Sequence, residues 1–243
     1  MKKIVLILFA LFSVSIFAQE KNIKYQLSFG PTLSVPNTSK LSDSNIDGFP
    51  EIKSSINIGA FILPSINYSF NEKTSLDFGF GFYLDRFSIE NKIGPSVNKG
   101  NRNISQLQVP ININFRFGKD DSCQFGIGGF TSFLISAKEK GHTKIDYSKI
   151  NPTDVNDPIY LANNESYNNN IKENYNSVSF GAFIQLKKEI SFSTNTPGFI
   201  LVKINQYFNA IKNNDSNSAL NNYFNFNNEK EPTTVNLGIG IDL

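Results

Sequence analysis

Between Leu107 and Phe117 every second residue is large and apolar: Leu107, Val109, Ile111, Ile113, Phe115 and Phe117, with Gln108, Asn112, Asn114 and Arg116 among the residues between them. Side chains of an extended strand alternate between its two faces, so such a segment has one greasy face and one wet face. The pattern recurs in Leu76 to Leu84, in Val178 to Leu186 and in Val235 to Leu243. Repeated along a chain that starts with an export signal, it predicts a β-barrel with lipid outside and polar groups inside.

The N-terminus supplies that signal. Lys2 and Lys3 precede an apolar stretch that begins at Ile4 and continues to Phe17, followed by small Ala18. Its apolar core of roughly 13 residues is shorter than the roughly 20 that a spanning helix needs, so residues 1–18 read as a signal peptide and 19–243 as the barrel domain. No later segment reaches a dozen consecutive apolar residues, which excludes a helical membrane protein but not a barrel, whose strands need only about 9 to 11 residues each.

The spacing predicts about eight strands. Long polar connections are expected near residues 35–54, 90–103, 138–176 and 212–232, and tight turns at 71–74, 118–122 and somewhere within 187–198. Long and short connections thus alternate, as they do when antiparallel strands cross a bilayer with extended loops on one side and turns on the other. The fold class read from the sequence is all-β: an antiparallel up-and-down transmembrane barrel with long extracellular loops and short periplasmic turns. A barrel of about eight strands is filled by its own side chains, which suits the many glycines mixed with Phe61 and Tyr83 on the inward faces.

Charge is placed accordingly. Asp77, Asp85, Arg116, Lys203 and Asp242 fall on inward faces, because a charge facing mid-membrane lipid costs up to roughly 2 to 4 kcal/mol. Asp77, Arg116, Lys203 and Asp242 read as an interior ion-pair cluster near one end, with charges facing water at the rim as the alternative. Tyr68, Phe70, Phe115, Phe117, Tyr207 and Phe208 lie near strand ends, where barrels carry aromatic girdles.

The 23 basic and 21 acidic residues nearly cancel and no basic run concentrates, so no nucleic-acid partner is expected. One Cys and one His offer neither an intramolecular disulfide nor a soft-metal site, and no cofactor is expected. Ser132, Ser136, Glu139 and His142 supply the residue types of a nucleophile, a carboxylate and a base, without an elbow motif or fixed spacing. The chain therefore reads as non-enzymatic.

Three segments resemble PorT-like outer-membrane β-barrel proteins: SQLQVPININFRFG at Ser105 to Gly118, NQYFNAI at Asn205 to Ile211, and the closing TTVNLGIGIDL, which ends in Leu243 where the family usually has an aromatic. The resemblance implies an outer-membrane barrel surrounded by outer-membrane lipid and inserted by the barrel assembly machinery, with other envelope proteins as further partners. The signal, the alternating strands and the asymmetry of the loops point to a structural, envelope-complex or surface-interaction role. Two other readings stand beside it: a soluble periplasmic lipocalin-like barrel with its apolar faces turned inward, and a lipid-acting outer-membrane hydrolase built on His142.

Overall fold

The computed structural model describes residues 22–37, 40–41, 51–93, 96–118, 120–145, 165–193, 196–212 and 231–243. The proposed signal peptide, 1–18, lies outside them. The strands are β1 (Ile23–Val35), β2 (Lys40–Leu41), β3 (Glu51–Ser69), β4 (Thr74–Gly79), β5 (Gly81–Ile93), β6 (Ser96–Phe117), β7 (Cys123–Ile145), β8 (Ser166–Asn170), β9 (Val178–Ser193), β10 (Thr196–Tyr207) and β11 (Thr233–Asp242).

Eight staves close a cylinder: β1, β3, β4 continued by β5, β6, β7, β9, β10 and β11, each antiparallel to the next, with β11 returning to pair β1. Closure leaves the staves no unpaired edge inside the bilayer, where exposed backbone groups are prohibitively costly. β4 and β5 form one stave interrupted at Phe80, while β2 and β8 are short additions to β3 and β7. The turn at 70–73, the β6–β7 turn that follows Phe117, and the paired residues Ser193 and Thr196 lie at one end together with the start of β1 and the end of β11, where the Leu243 amide donates to the Tyr25 carbonyl at 2.8 Å. Gly118 takes φ +97° in one of these turns, a region that favours glycine.

The faces are assigned as the alternation requires. Ile111 is 49% exposed and its neighbour Asn112 is 5% exposed, and the same division holds for outward Ile127, Ile184 and Ile239 against inward Gln124, Gln185 and Asn236. Hydrocarbon is the environment in which an exposed apolar wall of this extent is stable, so the wall faces lipid and the soluble lipocalin-like reading is set aside.

Several boundaries differ from the sequence reading. The polar loop expected at 90–103 is instead a continuous hairpin, β5 running to Ile93 and β6 starting at Ser96. Beyond the bilayer both faces of a strand meet water, so the ladder continues without its apolar signature. For the same reason β7 runs to Ile145 and β8 pairs with it inside the region expected to be loop, of which 146–164 lies outside the described residues. β10 ends at Tyr207 rather than Ile211, and the β9–β10 hairpin is fixed by the pairing of Ser193 with Thr196.

The interior is packed in layers. Phe61, Leu63, Tyr83, Phe199 and Leu201 form an apolar layer at mid-height, with Phe61 and Tyr83 stacked at 5.6 Å. A second apolar cluster, including Phe87, Ile104, Phe130, Phe183 and Tyr207, is joined by Tyr175 and Ile211 from the segments that follow β8 and β10. A Tyr175–Lys212 backbone bridge and the Asn176 amide bond to the Ile211 carbonyl, 2.7 Å, tie those segments together at the loop end. Gly128 is needed for space: a Cβ there would meet the Ile111 carbonyl oxygen and Asn112 on the neighbouring stave.

Candidate functional site: the filled interior and the loop-end sheet

The polar layer nearest the turn end is organised around Asp77 on β4. Lys187 of β9 donates to Asp77 Oδ2 at 2.6 Å, Gln185 to the same oxygen at 3.3 Å, and Asn67 of β3 to Oδ1 at 2.5 Å. Lys187 also donates to Gln26 Oε1 at 3.0 Å, and Gln26 Nε2 donates to Asp242 Oδ1 at 2.9 Å. Asp77 and Asp242 are thus linked through Gln26 and Lys187 rather than by a direct contact.

Arg116 pairs elsewhere, donating to Glu189 Oε1 at 2.6 Å and to the Asp121 carbonyl at 3.2 Å. Lys203, 1% exposed, donates to the Tyr83 hydroxyl at 3.4 Å and lies 3.9 Å from the Phe183 ring centroid. Aromatic faces carry negative quadrupole density, so Lys203 is held by cation–π attraction, with no carboxylate in ion-pair range among the described residues. The four residues singled out from the sequence therefore do not pair with one another. Lys187 and Glu189, absent from that set, are the ionic partners of Asp77 and Arg116.

A second polar layer surrounds Asp85. Gln106 Nε2 donates to its Oδ2 at 2.9 Å, and the Tyr207 hydroxyl contacts the same oxygen at 3.3 Å while accepting from Gln108 at 2.8 Å. Tyr207, expected in a lipid-facing girdle, is an interior residue: it lies on the inward parity of β10 and packs edge-on against Phe130 at 5.0 Å. Tyr68, Phe70, Phe115 and Phe117 are exposed at the turn end, and Phe208 is exposed beyond the end of β10. Beside the Asp77 layer lies a cavity of about 10 Å³, bordered by Asp77, Lys187 and Lys203.

At the loop end β3, β5, β6 and β7 continue as a sheet whose outward face is rich in cations. One cross-strand row runs Lys53, Glu90, Lys99 and His142, the next Ser55, Ser88, Asn101 and Lys140. A shallow depression of about 660 Å³ lies over these rows. Lys92 at 3.2 Å and Lys99 at 3.2 Å hold the Glu90 carboxyl below the usual glutamate range. On the inward face Glu139 accepts from Arg102 at 2.7 Å, and burial with this carboxylate beside it raises the Tyr167 hydroxyl to about 12.

The triad-like residue types do not assemble. Ser132 is buried and bonds Gln106 inside the barrel, Glu139 is engaged by Arg102, and His142 faces outward opposite Lys99 and Ser166. Among the described residues no group of His, Cys, Asp and Glu is arranged to hold a metal ion.

A family profile described as "Outer membrane protein beta-barrel domain" matches residues 17–193, which is most of the chain. The chain belongs to this family. It is accordingly an outer-membrane barrel, and the wall of exposed Ile, Leu, Val and Phe is its lipid-facing surface. Among solved structures it is similar to the outer membrane protein OprG from Pseudomonas aeruginosa, at TM-score 0.44 and 11% identity over 92% of this chain and 97% of that one. Neisserial surface protein A is similar at TM-score 0.44 and 10% identity, covering 91% and 96%. Ail, the attachment invasion locus protein of Yersinia pestis, is similar at TM-score 0.36 and 11% identity, covering 91% and 98%. The family match, rather than these distant likenesses, carries the assignment. No curated protein matches the sequence.

Proposed function

We propose that this outer-membrane barrel is a PorT-like protein that acts by surface contact, engaging envelope partners or outside ligands through its loop-end sheet and loops, rather than by passing solutes or catalysing a reaction. The observation that supports this reading is the packing of the described interior: two apolar layers, two hydrogen-bonded polar layers and the Tyr175 and Ile211 cap fill it, and the cavity beside Asp77, Lys187 and Lys203 measures about 10 Å³. A space of that size holds about one water molecule. Ser132 inside the barrel, Glu139 held by Arg102 and His142 on the outer face do not form the constellation that a hydrolase built on His142 requires.

Conductance tests the reading. Purified barrel inserted into a planar bilayer is expected to give no stable single-channel steps, whereas regular steps from the wild-type protein would contradict it. Crosslinking in the intact envelope followed by recovery of the barrel is expected to capture envelope proteins attached at loop-end positions.

A further inference from the structure

The outward parity of β7 changes at a bulge. Gln106 pairs with Leu134 and Ser105 with Ser136, so Ile135 is an extra residue and the alternation shifts by one. Below the bulge β7 presents Phe125, Ile127 and Phe133 to lipid; above it the same outer face presents Lys138, Lys140, His142 and Lys144. Without the shift these cations would point toward the axis of the barrel, where Ala137 and Glu139 now lie.

On the adjoining strands Lys53, Lys92 and Lys99 are paired with Glu51 and Glu90 at 3.0 to 3.8 Å. Lys138, Lys140 and Lys144 have no ion-pair partner among the described residues. At about 3.3 Å per residue, Lys138 and Lys140 lie roughly 10 to 17 Å along the strand past Ile135, the last lipid-facing apolar residue of β7. Lys138 and Lys140 thus stand directly above the hydrocarbon band, on the face turned toward neighbouring lipid and at headgroup height, and Lys144 continues the same face farther out, about 30 Å along the strand from Ile135.

We propose that this outward basic face, centred on Lys138 and Lys140, with Lys144 farther out and the depression beside Lys99 and His142, binds the phosphate groups of a phosphorylated glycolipid in the outer leaflet. The occupant follows from continuity and charge: a lipid whose acyl chains lie against Phe133 and Ile135 carries its headgroup up the same strand, where lysine ammonium groups complement phosphate as point charges. Asn101, Asn168 and Asn170, in register with Lys140 and Lys138, add neutral donors suited to sugar hydroxyls. The site gives the proposed surface-contact role a ligand class and rests on that reading; conductance tests the closed barrel independently, so the two fail separately.

The test uses the full-length barrel in zwitterionic detergent, titrated with fluorescently labelled lipid A or with the same lipid stripped of its phosphates. Wild type is expected to bind the phosphorylated form at least about tenfold more tightly, since each lysine near an anionic surface contributes about fivefold. The triple variant Lys138→Ser, Lys140→Ser, Lys144→Ser is expected to lose that preference. Removal of three turn-end cations, Lys24→Ser, Lys73→Ser, Lys188→Ser, is expected to leave it unchanged. Heat-modifiable migration reports whether each variant is folded, and the wild-type comparison of the two lipids stands even where a variant is not. Equal wild-type affinity for both lipids overturns the proposal, as does a folded loop-end variant that keeps the preference or an equal loss in the turn-end variant. Displacement by a soluble sulfated polysaccharide with no dependence on the lipid phosphates also overturns it, in favour of an extracellular polyanion.

Discussion

Replacing Lys187 by Met lowers the unfolding free energy of the reconstituted barrel by about 3 to 5 kcal/mol, measured by urea titration in lipid vesicles. The substitution leaves Asp77 buried without its cation. Asn67 and Gln185 continue to donate to the carboxylate, which places the loss toward the lower end of that range. Were Lys187 a rim residue in water, removing it would cost no more than about 1 kcal/mol, so the size of the effect decides between an interior and an exposed pair. The double variant Asp77→Asn, Lys187→Met is expected to recover most of the loss, because removing both charges together leaves no unpaired ion. A single variant within about 1 kcal/mol of wild type would show that the Asp77–Lys187 pair is not buried.

Arginine at position 111 is the second large effect. Ile111 lies midway along the outward apolar run of β6, Leu107 to Phe117, and is 49% exposed to what is hydrocarbon in the membrane. Ile111→Arg is expected to destabilise the barrel in the bilayer by about 2 to 4 kcal/mol, and Phe117→Arg, beside the turn, by no more than about 1 kcal/mol. The contrast carries the meaning, since both residues lie on the same face of the same strand and differ in depth. Equal costs at the two positions would contradict the placement of the bilayer along β6.

The staves were legible because lipid imposes a demand that sequence records directly: each outward position of β6 from Leu107 to Phe117 has to be apolar, while inward ones are free to be Gln, Asn or Arg. Where that demand ends, so does legibility. The β5–β6 hairpin above the bilayer is wet on both faces, and its Lys, Asn, Ser and Glu residues carry no period that distinguishes ladder from loop. Lys187 escaped notice because it falls in the 187–198 window read as hairpin, one residue past the Val178–Leu186 alternation, whereas β9 continues to Ser193 and keeps Lys187 on the inward parity. Tyr207 fits either face of a strand, and only its registration with Phe130 and Asp85 shows which one it takes. The bulge at Ile135 adds a single residue, yet it decides whether four consecutive outward positions of β7 are basic or not.

The barrel is an arrangement in which greasy side chains face hydrocarbon and polar ones line the inside of the cylinder. Its most direct test is a spin-label scan of β6 in a Cys123→Ser background, with single cysteines from position 107 to 115 and the barrel reconstituted in lipid. Collision with molecular oxygen, which concentrates in hydrocarbon, is predicted to oscillate with a period of two, high at 109, 111 and 113 and low at 108, 112 and 114. The opposite phase, with oxygen contact greatest where Gln108, Asn112 and Asn114 stand, would contradict it.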